Sequence, residues 1–167
     1  MIFCIGLAAV CLFDYTQKRI PNLLLLLLFA AALLEAAESG GGFGVLGSML
    51  RAGITAVFFF PFFRIGGIGA GDVKLLAVCA GYLPAGSVPG FCFWTMAIAA
   101  GIGFLRLLRE GTVRQRFRKL RMYVRGCMLT GKVQPYHLED PEIPGARIIL
   151  SGPVLGSILL YMGGVYR

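Results

Sequence analysis

Charged and metal-binding side chains are scarce in this chain of 167 residues. Asp, Glu, Lys and Arg make up 14% of the residues, whereas about 25% is usual in a soluble domain. Apolar residues make up 57%, which is more hydrocarbon than a soluble fold of this length can hide. The one histidine, His137, and five cysteines without a C-x-x-C pair exclude an ordinary zinc cluster. The composition therefore predicts a membrane protein and no metal site.

Six apolar segments, separated by Gly and Pro, are the candidate membrane helices. They are Met1–Thr16, Pro21–Ala37, Phe43–Phe63, Val73–Leu83, Val88–Leu105 and Ile148–Tyr166. The first and the fourth are short against the ~20 residues that a span needs, so five spans is the alternative count. No basic stretch precedes the first segment, which is therefore not expected to be a cleavable signal peptide. The predicted fold is all-α, a polytopic membrane protein forming a single domain over residues 1–167.

The basic residues are divided unequally between the two sides of such a protein. Of the 16 Lys and Arg residues, all except Arg51 and Arg167 fall in or beside the gaps after the first, third and fifth segments. The positive-inside rule places these gaps in the cytoplasm and both ends of the chain outside. The net charge of +8 thus reflects membrane topology, and no nucleic-acid partner is expected.

A long polar connection, residues 106–147, separates the fifth segment from the sixth. In its first part, apolar residues recur at helical spacing among many Arg and Lys: Val113, Phe117, Leu120 and Val124. This pattern is typical of a cytoplasmic amphipathic helix on the anionic inner leaflet of the bilayer. The alternative is a docking site for an acidic partner. The second part, residues 134–145, is acidic and Pro-rich, and we expect a loop with His137 as a solvated residue.

Two aspartates lie where a membrane protein rarely tolerates a charge without a function. Asp14 follows an uncharged apolar stretch and Asp72 opens the fourth segment, and the predicted topology puts both near the cytoplasmic face. When two carboxyls come within a few ångströms, one keeps a proton while the other stays charged. The charged one can take a proton from water while the protonated one polarises the scissile carbonyl. The pair therefore predicts peptide hydrolysis without a metal or another cofactor.

Each aspartate also has a local structural interpretation. Asp72, which follows Gly69-Ala70-Gly71, can serve as the N-cap of the fourth helix. Asp14 can form an ion pair with Lys18, four residues further on, at the end of the first helix. Both interpretations stay open from the sequence, although neither explains the matched depth of the two carboxyls.

The sequence around each aspartate forms a motif. Residues 14–22 read D-x-x-x-x-R-I-P-N, and residues 69–75 read G-x-G-D-V-K-L. In this order, at the predicted cytoplasmic ends of separate spans, the motifs resemble those of the type IV prepilin peptidase family, bacterial membrane aspartic proteases of the GxGD type. The short members, which serve tight-adherence pili, are the most similar. The resemblance covers nearly the whole chain, because the basic connection and the last helix also fit.

The resemblance implies an activity and two catalytic residues, Asp14 and Asp72. Members of the family remove the short basic leader from prepilins and pseudopilins, cutting after a glycine that precedes an apolar helix. The resemblance thus implies such substrates as partners. It also implies a multi-pass protein of the bacterial inner membrane with its active site toward the cytoplasm. Longer members add a zinc-binding segment with paired C-x-x-C motifs and N-methylate the product; this sequence has no such segment, and methyl transfer is not expected.

The other motif residues are candidates for accessory or substrate-binding roles: Arg19, Pro21, Asn22, Gly69, Gly71 and Lys74. The two glycines beside Asp72 let an extended substrate backbone approach, or simply permit the turn into the helix. Pro21, in the first turn of a helix, needs no N–H. Arg19 and Lys74 can contact the substrate or extend to lipid phosphates.

Three other functions compete with leader cleavage. An intramembrane protease of the signal-peptide-peptidase type shares G-x-G-D, but it has Tyr-Asp on the earlier helix and a later Pro-Ala-Leu motif. This chain has Asp14-Tyr15 and no Pro-Ala-Leu. A proton-coupled small transporter would place its carboxyls near the bilayer midplane. A scaffold of a secretion machine fits the basic connection but leaves the aspartates unexplained. The sequence carries no indication of an oligomeric state.

Overall fold

The computed structural model describes residues 2–17, 21–65, 67–110 and 150–166. These residues form helices and no strand: α1 Ile2–Gln17, α2 Asn22–Arg64, α3 Ala70–Tyr82, α4 Val88–Glu110 and α5 Ser151–Met162. A short 3-10 turn, Ala85–Ser87, joins α3 to α4. Residues 111–149, which include most of the predicted basic connection, lie outside the described residues. The all-α prediction is confirmed for the part of the chain that the structure describes.

Helix α2 consists of two rods joined at a glycine break. Gly40 (φ −147°, ψ 15°) and Gly41 (φ 55°, ψ −141°) leave helical geometry, and the break separates residues 22–39 from residues 42–64. The positive φ of Gly41 suits glycine because a side chain is strained there. Just beyond the break, a Cβ on Gly44 would overlap a backbone carbonyl of the first rod, so the rods approach very closely. The two rods correspond to the second and third apolar segments of the sequence.

The first rod of α2 runs in the same direction as α3. Near the start of both elements, Nζ of Lys74 donates a hydrogen bond of 3.1 Å to Oδ1 of Asn22. Near the end of both elements, Glu35 and Tyr82 line one cavity. Because the starts of the two helices lie together and their ends lie together, the first rod of α2 and helix α3 are parallel.

The second rod of α2 and helix α1 run against α3. Ser48, in the first third of the second rod, donates a 2.8 Å hydrogen bond to the carbonyl of Gly81, near the end of α3. Helix α1 is joined to α2 by residues 18–21 and packs back along the first rod, where a Cβ on Gly6 would lie 2.8 Å from Cδ1 of Leu28. Because α1 opposes the first rod, it also opposes α3.

Large apolar side chains cover the outside of the helices. In α2 alone, several are more than half exposed: Leu23, Leu26, Leu34, Ile54, Val57 and Phe58. Leu25 and Leu28 of the same helix are buried against the bundle. Monomeric soluble proteins rarely expose so large an apolar surface. Two helical stretches, Asn22–Arg64 and Ala85–Leu105, are long and apolar enough to cross a bilayer.

The six-span topology stays a prediction. With the glycine break counted, the described helical rods correspond in position to the six apolar segments. However, α1, α3 and α5 contain 16, 13 and 12 residues, which is short against the ~20 residues of a full span.

Candidate active site

Asp14 lies on the buried face of α1. Phe3, Leu7, Val10 and Asp14 recur at spacings of three and four residues, and all are buried. Such spacing places them on one stripe of the helix. Asp14 is 8% exposed, and its Oδ2 atom has no hydrogen-bond partner among the described residues. The stripe therefore directs the Asp14 carboxyl into the bundle, while the adjacent Tyr15 is 76% exposed on the outside.

Asp72 is the third residue of α3 and is half-buried. The N-cap of the helix is Gly69 (φ −71°, ψ 150°), whose carbonyl accepts a 3.1 Å hydrogen bond from the N–H of Val73. The interpretation of Asp72 as the N-cap is therefore wrong, because the helix begins at Ala70, three residues before the first residue of a helix that Asp72 would cap. A carboxylate in the first turn still lies near the positive end of the helix dipole.

Gly69 leaves room for the Asp72 carboxyl. A Cβ at position 69 would lie 2.9 Å from Oδ2 of Asp72, closer than real Cβ atoms approach other atoms. The glycine therefore accommodates the aspartate itself, which is a role that the sequence did not indicate. Gly71 lies in the first turn of α3 and is half-buried. An approach of substrate backbone at either glycine stays a prediction.

Helices α1 and α3 bring the two aspartates to the same end of the bundle. At the other end, the ring of Phe3 stacks on that of Tyr82, with centroids 3.8 Å apart and planes inclined by 3°. Because the helices are antiparallel, both lead away from this stack in the same direction. At ~1.5 Å per residue, Asp14 lies about 16 Å along α1 and Asp72 about 15 Å along α3. The stripe of α3 between Tyr82 and Asp72 contains two fully buried residues, Leu75 and Cys79.

The two sequence motifs meet through the bond between Lys74 and Asn22, whose side chains are both exposed. Pro21, immediately before Asn22, is the N-cap of α2, and its carbonyl accepts hydrogen bonds from Leu24 (3.1 Å) and Leu25 (3.3 Å). The prediction that Pro21 lies in the first turn is thus wrong by one residue. Arg19, and Lys18 of the suggested ion pair with Asp14, lie outside the described residues.

Ser151 is a polar neighbour of this site that the sequence motifs did not indicate. Cys11, one turn before Asp14 on α1, donates a hydrogen bond from Sγ to the backbone carbonyl of Ser151 (3.1 Å). Ser151 is fully buried, and its Oγ atom has no partner among the described residues, as is also true of Asp14 Oδ2. The one available signal in the sequence is a hydroxyl before Gly152-Pro153 at the start of an apolar helix.

No group of three or more His, Cys, Asp or Glu that could hold a metal ion occurs within residues 2–17, 21–65, 67–110 and 150–166.

The apolar outer surface and the two helices long enough to cross a bilayer indicate a helical membrane protein. The sequence model of the type IV leader peptidase family matches residues 1–104, which contain both aspartate motifs. The chain belongs to the type IV leader peptidase family, and the resemblance inferred from the motifs is confirmed. Neither a curated protein nor a solved structure matches the chain. The family match ends before the basic connection and α5, whose fit to the family stays a prediction.

Proposed function

We propose that this protein is an aspartic endopeptidase that removes the leader peptide from type IV prepilins and related pseudopilins. The observation that supports it best is the placement of Asp14 and Asp72. Asp14 lies at the end of a buried stripe on α1 and Asp72 at the end of one on α3. The two helices are antiparallel, and both aspartates lie at similar distances from the Phe3–Tyr82 stack. Family membership points to a leader peptidase, and this placement gives that activity its two carboxyls.

The two carboxyls divide the work of hydrolysis between them. The ionised one removes a proton from water, and the water oxygen attacks the carbonyl carbon of the scissile peptide. The protonated one hydrogen-bonds to the carbonyl oxygen, which develops negative charge. Transfer of a proton to the leaving nitrogen then breaks the C–N bond and frees the leader and the new N-terminus. No covalent intermediate and no cofactor take part.

Ser151 supplies a third group for the attacking water. A buried polar atom without a partner is costly, by about 1–3 kcal/mol. Asp14 Oδ2 and Ser151 Oγ are two such atoms, and the hydrogen bond from Cys11 to Ser151 connects the helices that carry them. A water bound between them would satisfy both. It would also lie within hydrogen-bond reach of the Asp14 carboxyl, where one of its protons can be removed as it attacks the peptide.

The site is proposed to face the cytoplasm of a bacterial inner membrane. Both aspartates lie at the end of the bundle that carries Arg64 and Lys74, which are exposed. Basic residues of this kind mark the cytoplasmic side. A site at this level lets the apolar helix of a prepilin stay in lipid while its basic leader remains in water.

The same placement argues against the competing functions. A proton-coupled transporter needs carboxyls near the midplane with access to both sides, whereas Asp14 and Asp72 share one end of the bundle. A signal-peptide-peptidase type of protease would use similar chemistry, but the family match is to leader peptidases.

The test is cleavage of a prepilin by membranes that contain Asp14→Asn or Asp72→Asn variants. Each substitution keeps the side-chain shape but removes the group that accepts or donates the proton. Cleavage should fall by about 10²-fold to 10⁴-fold, the usual contribution of general acid–base catalysis. Asp140→Asn, the same change at the third aspartate of the chain, should cleave at the wild-type rate. Processing at the normal rate by either active-site variant, with membrane insertion intact, would exclude the proposed mechanism.

A further inference from the structure

An open cavity lies at the end of the bundle opposite the aspartates. It has a volume of about 690 Å³ and is lined by residues from both rods of α2 and from the ends of α3 and α5. Its charged lining residues are Glu35, Glu38 and Arg51, and Tyr82 and Tyr161 add two phenol rings. The mechanism proposed above uses none of these residues. The volume falls in the range of about 300–1,000 Å³ that is usual for small-ligand sites.

Arg51 is the notable residue of this cavity. It lies in the middle of the second rod of α2, where a guanidinium is costly and usually functional in a membrane protein. Its Nη2 donates a 3.1 Å hydrogen bond to the carbonyl of Gly81, and the glycine at position 47 leaves space beside Nη1. Nε is buried and has no acceptor among the described residues. Glu35 and Glu38 line the same cavity, but among the described residues neither forms an ion pair with Arg51.

The charged residues of the cavity lie on both sides of the glycine break in α2. Glu35 and Glu38 precede the glycine break at Gly41 by six and three residues, whereas Arg51 follows it by ten. At ~1.5 Å per residue, the carboxylates stand on backbone about 5–9 Å from the break and Arg51 on backbone about 15 Å from it. The Arg51 guanidinium itself lies beside Gly47, which follows the break by six residues as Glu35 precedes it by six, so the cation reaches the level of the carboxylates.

We propose that this cavity binds the headgroup of a phosphoethanolamine lipid of the outer leaflet. In such a lipid the phosphate lies between the acyl chains and the ammonium group. The phosphate would pair with Arg51, which offers charge-assisted donors, and the ammonium with Glu35 and Glu38. The two charges of this headgroup, one negative and one positive, complement the two signs of charge in the cavity lining. An anionic lipid without an amine could pair with Arg51, but it would be repelled by the carboxylates of Glu35 and Glu38.

The proposal depends on placement in a membrane but not on the peptidase chemistry, because the cavity and the aspartates lie at opposite ends of the bundle. Lipid retention and leader cleavage can therefore be measured separately. An Asp14→Asn variant should retain the lipid as the wild type does, even though cleavage is lost.

The experiment is native mass spectrometry of the full chain from nanodiscs that contain equal amounts of phosphatidylethanolamine and phosphatidylglycerol. The wild type should retain phosphatidylethanolamine about tenfold over phosphatidylglycerol, which corresponds to ~1.4 kcal/mol. The double variant Glu35→Gln/Glu38→Gln should lose this preference. Arg51→Gln should reduce retention of both lipids, and Arg64→Gln, an exposed arginine at the far end of the same helix, should change neither.

The Glu35→Gln/Glu38→Gln variant keeps the experiment decisive if Arg51→Gln fails to fold, because both carboxylates are exposed. Soluble glycerophosphoethanolamine, which has the headgroup but no chains, should not displace the bound lipid at equal concentration. Displacement by it would overturn the lipid as the occupant. Equal retention of the two lipids by the wild type, or an unchanged preference in the double variant, would overturn the site.

Discussion

Lys74 and Asn22 stand 52 positions apart in the sequence, yet Nζ of Lys74 donates a 3.1 Å hydrogen bond to Oδ1 of Asn22. Asn22 ends the motif that begins with Asp14, and Lys74 follows Asp72 by two residues. The bond therefore ties the start of α2 to the first turn of α3. It connects the two chain segments that carry the carboxyls of Asp14 and Asp72.

A double-mutant cycle on Lys74→Met and Asn22→Ala tests this tie. An exposed hydrogen bond contributes about 0.5–1.5 kcal/mol, so each single variant should lower the rate of leader cleavage by about twofold to tenfold. The double variant should cleave no more slowly than the slower of the two single variants, because the first substitution already breaks the hydrogen bond. Additive losses in the cleavage assay would instead indicate that the two side chains contact the substrate independently.

Gly69→Ala should impair cleavage without unfolding the protein. The backbone of Gly69 (φ −71°, ψ 150°) is accessible to alanine, but the new Cβ would lie 2.9 Å from Oδ2 of Asp72 and displace the carboxyl. A misplacement of about 1 Å can lower a rate by about 10²-fold. The matched control is Gly53→Ala, where a Cβ meets nothing within 4 Å. The two variants should have similar melting temperatures, but Gly69→Ala should cleave more slowly than Gly53→Ala. Equal cleavage rates would contradict the role assigned to Gly69.

Ser151→Ala should slow cleavage while leaving stability unchanged or slightly higher. Its Oγ atom is buried without a partner among the described residues, so removal costs no hydrogen bond within them. If it orients the attacking water, the rate constant should fall by about tenfold, which is less than the ~10²-fold to 10³-fold loss on removing one oxyanion-hole donor. KM should stay constant.

Ser157→Ala provides the opposite pattern as a control for Ser151. Oγ of Ser157 donates to the carbonyl of Phe91 (3.1 Å) and lies 2.8 Å from the Tyr166 hydroxyl. Loss of these bonds should lower the free energy of unfolding by about 1 kcal/mol or more, and with it the melting temperature. The cleavage rate should not change. A full cleavage rate in Ser151→Ala would remove Ser151 from the mechanism.

Gly41→Ala should destabilise the protein. The left-handed φ of 55° with ψ −141° is a conformation that an L side chain rarely adopts, and such strain costs about 1–3 kcal/mol. Gly42→Ala, one residue on and within the second rod, has open space for a Cβ and should be neutral or stabilising. Thermal unfolding of the two variants in the same detergent checks the difference. Equal melting temperatures would show that the chain passes the break in another conformation.

Several features of the site were predictable because they depend on local sequence. The break at Gly40-Gly41-Gly42, the start of α2 after Pro21 and the start of α3 after Gly69 follow from the conformations that Gly and Pro favour. The two aspartates were conspicuous because charge is rare in apolar segments. Errors of one to three residues at Pro21 and Asp72 arose because capping patterns in sequence do not fix the exact first residue of a helix.

Other features required the packing of distant elements. Leu25 and Leu26 are adjacent leucines, yet the first is buried and the second is 64% exposed. In a helix that is apolar on all sides, the pattern of side chains does not distinguish the lipid-facing side from the bundle-facing side. For this reason the sequence did not indicate the stacking of Phe3 on Tyr82, the bond from Arg51 to Gly81, or the position of Ser151 beside α1.

By itself, the sequence determined that the chain is an apolar helical protein, where its helices are interrupted, and which two carboxyls are out of place among them. These are properties of composition and of local backbone preference, and they do not depend on neighbours. The tertiary structure decided that the stripe from Phe3 to Asp14 faces the bundle and that α1 opposes α3. It also decided that a cavity with charges of both signs opens at the far end. Those outcomes depend on how closely particular helix faces fit together, which hydrophobicity alone does not specify.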